Sequence, residues 1–227
     1  MTQEGLRMFE LDKLSVTEEV TELWQAAEFL VSADTNLREQ GFTLLTHHET
    51  ARFSPLVCYL LVSLLDDPDL ALRAASIHVL AGVFARNNEQ YIAPDETRNY
   101  VSELLCRFRT EQIVHMLEVM RGGEFSDTHA HPEALARLLD RTPDVNQQLT
   151  HIAANRRQDH KIRIAAVHTI GELGLLAALP ELQSIRNSIS TRRAGQLSMR
   201  FAPLADPAAA ELLQVLEETI QLLQVGS

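Results

Sequence analysis

Cysteine is nearly absent from this chain, Cys58 and Cys106 being its two examples. Both fall inside apolar, helix-like patterns, which predicts buried thiols in a reducing compartment and excludes a disulfide-stapled scaffold. Aromatic residues are scarce as well, at 5%. No run approaches the ~18 consecutive apolar residues of a membrane-spanning helix. The opening residues, Met1-Thr2-Gln3-Glu4-Gly5-Leu6, lack the basic start and apolar stretch of a secretory leader. A soluble, cytoplasmic protein with no membrane partner is the expectation. Period-two alternation is missing too, so no strand is predicted.

Catalytic signatures are equally wanting. There is no glycine-rich phosphate loop, no G-x-S-x-G elbow, and no cysteine beside a base in an exposed turn. The carboxylate pairs Glu18-Glu19 and Glu217-Glu218 fall on polar helical faces, where solvated surface accounts for them. No catalytic residue, metal or cofactor is assigned on these grounds.

What is present favours helix. Leucine and alanine, two of the strongest helix formers, dominate a composition of 45% hydrophobic and 22% charged residues. A globular chain of 227 residues would bury about 70% of its unfolded surface. The net charge of −11 argues against a general polyanion binder, yet it is unevenly spread. Residues 1–140 hold 11 Lys and Arg against 23 Asp and Glu, whereas residues 141–200 hold 9 against 4. A basic block sits inside an acidic protein.

Three segments superimpose without gaps: Asp34-Thr-Asn-Leu-Arg-Glu-Gln-Gly-Phe-Thr-Leu-Leu45, Asp69-Leu-Ala-Leu-Arg-Ala-Ala-Ser-Ile-His-Val-Leu80 and Asp159-His-Lys-Ile-Arg-Ile-Ala-Ala-Val-His-Thr-Ile170. The first two lie 35 residues apart and the third 90 beyond the second, leaving room for one degenerate unit. Asp34, Asp69 and Asp159 suit N-cap positions, where a carboxylate accepts from first-turn amides. Arg38, Arg73 and Arg163, four residues on, are placed to pair with them along the helix. Leu37, Phe42 and Leu45, with their counterparts, form one apolar stripe at about 100° per residue. Ala75, Ala81, Ala165 and Gly171 are small enough to admit a neighbouring helix. Before the second unit, Ser54–Leu65 reads as a partner helix, and Asp66-Asp67-Pro68-Asp69 as the tight turn between the two.

This helix, D-P turn and Asp/Arg-marked second helix resemble the HEAT-repeat family, well over 54–84, fairly over 145–174 and more weakly over 19–48. The resemblance implies an all-α fold: an α-solenoid of about five stacked antiparallel helix pairs, in one domain over 16–227 after an N-terminal segment, 1–15. Further helices are predicted over 16–31 (Trp24 on the apolar face), 95–108, 110–120, 132–140, 145–155, 175–188 and 207–225. Of these, 95–108 and 110–120 read as a second helix pair, though neither carries the Asp/Arg signature. Residues 121–131 and 191–206 read as loops, of a length often functional.

Among candidate sites, Asp127-Thr-His-Ala-His131 is the most metal-like cluster. No E-x-x-H helix or cysteine pair completes it, and a solvated loop with a helix-capping role is the better account. His78 and His168 occupy equivalent repeat positions, as duplicated structural residues do. His47-His48 closes a helix, where imidazolium complements terminal carbonyls. The best lead is Arg156, Arg157 and Lys161 at the turn of the third repeat, with Arg192, Arg193 and Arg200 one helix pair later. Were these to converge, they would attract an acidic protein, a phosphate or nucleic acid. Arg163 is set aside as a structural partner of Asp159. The family resemblance implies a non-catalytic scaffold that binds another protein. Nucleic-acid or phosphate binding through 141–200 is the alternative, and a repeat-built enzyme resembling bacterial chromophore lyases is a more distant one.

Overall fold

The computed structural model describes residues 20–47, 54–86, 92–121, 132–197 and 207–225. Every regular element among them is helical. In chain order these are α1 (20–30), α2 (Thr35–Thr46), α3 (Pro55–Ser63), α4 (Leu70–Val83), α5 (Asp95–Leu105) and α6 (Thr110–Glu118). Then come α7 (Pro132–Leu139), α8 (Val145–Ala154), α9 (His160–Glu172), α10 (Leu179–Leu197) and α11 (Pro207–Val225). Short 3₁₀ turns at Leu64–Asp66, Val119–Arg121 and Leu176–Ala178 end or begin some of them.

The ends follow from local chemistry. The Asp34 carboxylate accepts from the Asn36 amide, Asp69 from Ala71 and Leu72, and Asp159 from Lys161. Ser54 caps α3, with Pro55 at the first helical position, where its missing N–H costs nothing. Pro132 and Pro207 likewise occupy the first positions of α7 and α11. Gly174, at φ +61°, takes the left-handed conformation that lets the Leu175 amide fold back onto the Ile170 carbonyl and stop α9.

One hydrophobic core runs through the described helices, from Ala26 in α1 to Leu223 in α11. Among α2–α11, the helices in substantial contact are no more than three places apart in the chain. α2 packs on α4, α4 on α7, α7 on α9, and α9 on α11, an unbroken series. On the other side, α6 meets the turn at Leu64–Asp66 and α8, and α8 meets α10. The expectation that 95–108 and 110–120 form a helix pair is corrected: α5 packs chiefly on α3, and α6 on α9 and the turn at Leu64–Asp66.

Three further expectations change. α10 continues through 191–197, which read as loop, because no proline breaks it there; its buried side ends at Ile189 and residues 191–195 extend the helix exposed. Cys58 is buried as expected, but Cys106 is exposed at the end of α5. Trp24 is 72% exposed, on the same side of α1 as Val20, with exposed Val31 just beyond the helix end, while Ala26 and Leu30 on the other side are buried. No described helix is long and apolar enough to cross a membrane.

Candidate functional site

The repeat arginines do not pair along their own helices with the aspartates that precede them by four. Each aspartate is occupied in capping, and an exposed i,i+4 ion pair contributes only about 0.3–0.5 kcal/mol. A helix that ends in a tight turn leaves its last carbonyls without partners, and a guanidinium satisfies them better. Arg38 donates through Nη1 to the Ser32 and Ala33 carbonyls just after α1, each at 3.1 Å. Arg73 donates through Nε to the Asp67 carbonyl after α3. Arg163 donates through Nε to the Ala153 carbonyl in the last turn of α8, at 2.8 Å.

The first two arginines also reach a carboxylate of the next unit. Arg38 forms a two-point pair with Asp67, Nε to Oδ2 at 2.7 Å and Nη2 to Oδ1 at 3.1 Å. That hydrogen bond is the chief cause of the raised Arg38 pKa, partly opposed by burial. Arg73 reaches α6, donating through Nη1 to Glu118 Oε2 at 2.7 Å and to the His115 carbonyl at 2.8 Å. Asp67, in the turn, is thus a junction: it binds Arg38, accepts from the Asp69 amide at 2.8 Å and offers its carbonyl to Arg73. In the sequence it was indistinguishable from Asp66, since only its burial singles it out.

Arg163 has no such carboxylate among the described residues. It faces a pocket of about 300 Å³ instead. Arg156 and Gln158 from the α8–α9 turn line it, with His160 and Arg163 from the first turns of α9. α10 adds Ile189, Arg192 and Arg193, which share one face because they are three and four residues apart. Ala208, Ala209 and Leu212, from the start of α11, form the apolar part. Arg156 Nη2 donates to Ser188 Oγ at 3.0 Å, tying the turn to α10. The lining holds no carboxylate, and none of the four arginines has an acidic partner among the described residues. Burial first, then the charges of Arg156 and Arg192, lower the pKa of Arg163. At the margin, His160 Nε2 stands 3.9 Å from Glu211 Oε2.

The structure therefore brings Arg156, Arg192 and Arg193 together. Arg157 and Lys161 are exposed beside the pocket without lining it, and Arg200 lies outside the described residues. Arg163, set aside in the sequence as purely structural, stands in the pocket wall, and His160 joins it. Helical spacing of 160 and 163 was the legible signal, masked by the structural role the repeat suggested. His78 and His168 are both exposed, as equivalent positions should be. Asp127–His131 and His48 lie outside the described residues, and no metal-binding group of His, Cys, Asp or Glu occurs among the rest. Compared with protein-family models, with curated proteins and with solved structures, the chain matches none.

Proposed function

We propose that this protein is a non-catalytic binding module, a HEAT-like α-solenoid that docks a partner protein through an acidic group received in the arginine pocket. The observation that carries this reading is the gathering of Arg156, Arg163, Arg192 and Arg193 around one cavity with no carboxylate among its described lining residues. Four like charges in a chain of net −11 repel one another and are costly to hold together unless an anion answers them. The neighbour-only contacts and the series α2–α4–α7–α9–α11 support a solenoid, the architecture that presents extended binding surfaces. Nucleic acid is a weaker fit, because phosphate-backbone affinity draws on a long basic track and this cluster is compact.

The test is to change Arg192 and Arg193, both exposed, to Glu and compare partner capture from the host extract by quantitative mass spectrometry. Loss of specific partners at unchanged melting temperature, with capture by the wild type weakening as salt rises, is the expected result. An identical set of partners captured by both forms overturns the proposal.

A further inference from the structure

The carboxylates met by Arg38 and Arg73 define what the place beside a repeat arginine ordinarily holds. One carboxylate serves one guanidinium there, Asp67 for Arg38 and Glu118 for Arg73, supplied by the next unit of the same chain. At Arg163 the next unit is α10 with α11, and it supplies Arg192 and Arg193 in that direction instead. No described residue supplies an anion to complete the arrangement, and one that does so must answer four guanidiniums rather than one.

A carboxylate carries a single charge on two oxygens, which suits one two-point arginine pair. A phosphate monoester carries about 1.5 to 2 negative charges at neutral pH on three strong acceptor oxygens, and so bridges several arginines at once. The first turn of α11, which lines the pocket with Ala208 and Ala209, turns its positive end toward the same side and reinforces the preference. A cavity of about 300 Å³ is at the lower end of the range for small-molecule pockets and exceeds a bare tetrahedral oxyanion. Its apolar side, Ile189, Leu212 and the two alanines, provides for the carbon group to which the phosphate is attached.

We infer that the pocket is a phosphate-monoester site, with Arg163 as its anchored floor and Arg156, Arg192 and Arg193 as its clamp. This rests on the reading of the pocket as the docking point and names the ligand chemistry it selects. The phosphate belongs either to a phosphorylated side chain of the partner or to a free organic phosphate.

Titration calorimetry on the full chain tests it with four probes: phenyl phosphate, benzoate, inorganic phosphate and a short phosphotyrosine peptide. Phenyl phosphate should bind at least about tenfold more tightly than benzoate, and more tightly than inorganic phosphate. Arg192→Gln/Arg193→Gln should weaken it by roughly tenfold or more at unchanged melting temperature. A peptide that binds more tightly than phenyl phosphate assigns the site to a phosphorylated protein, and the reverse order to a free phosphate. Benzoate binding as tightly as phenyl phosphate overturns the phosphate assignment while leaving partner docking intact. No binding by any probe also overturns it, and the Glu variants then separate the two claims. If they still lose the partner, docking stands without phosphate, and if they keep it, both readings fall.

Discussion

Arg73 shows how much one side chain can hold when a turn leaves its carbonyls exposed. It is buried, and it satisfies the Asp67 and His115 carbonyls together with the Glu118 carboxylate. Removing it strands three acceptors at a junction of two units. Arg73→Ala should destabilise the fold by about 3 kcal/mol in urea denaturation. Arg157→Ala, at an exposed position, should stay within about 0.5 kcal/mol. The two cysteines offer a second contrast. Burial pushes the Cys58 thiol up to about 12, so at pH 8 it is protonated and shielded, while Cys106 is exposed. A thiol reagent at pH 8 should modify Cys106 alone in the native protein and both residues after denaturation, as read by peptide mass. The unfolded chain releases the Cys58 proton near pH 8.5, whereas the folded one retains it to higher pH. Stability should therefore be unaffected below about pH 8.5 and fall as pH rises towards 12, with a shallower decline in Cys58→Ala.

At the scale of elements, glycines mark where helices meet closely and where they do not. A Cβ on Gly41 in α2 would stand 2.9 Å from the Ala26 carbonyl oxygen and 3.1 Å from Phe29 and Leu30 atoms of α1. Nothing lies within 4 Å of the same atom built on Gly82 in α4. Gly41→Ala should therefore lower the melting temperature by forcing α1 and α2 apart. Gly82→Ala should raise stability by roughly 0.5–1 kcal/mol, since alanine loses less backbone entropy in a helix. The opposite order of melting temperatures would show that α1 does not seat on α2 in this way. The repeat pattern foresaw small residues at the contacts, and Gly171 meets Thr219 and Leu222 of α11 as expected of one. It did not reveal Gly41, because the equivalent places in the other units hold Ser76 and Ala166.

Across the whole molecule, cohesion passes from helix to neighbouring helix along one continuous core. Damage should stay local in such an arrangement. Amide hydrogen exchange in Gly41→Ala is expected to speed up in α1 and α2, less in α4, and to remain unchanged in α9 and α11. Uniform acceleration over all helices would mean a single cooperative globule. The same locality explains how four arginines are tolerated together at one end: their repulsion bears on α8–α11 and leaves the Arg38–Asp67 and Arg73–Glu118 junctions undisturbed.

The sequence by itself determined the helices, their caps and the repeat, because these depend on neighbours within a few residues: an aspartate two or three places before the amide it caps, a proline at a first turn, an apolar stripe of fixed period. It also singled out Arg156, Arg192 and Arg193 by local charge density. Only the tertiary structure decided where each arginine turns. Arg38 finds Asp67 across 29 residues and Arg73 finds Glu118 across 45, pairings that no spacing along one helix encodes. Arg163 has the same sequence environment as those two and a different one in space, because the unit beyond it presents arginines where the others present carboxylates. A repeat motif specifies the side chain that reaches out, and the packing of the next unit determines what it meets.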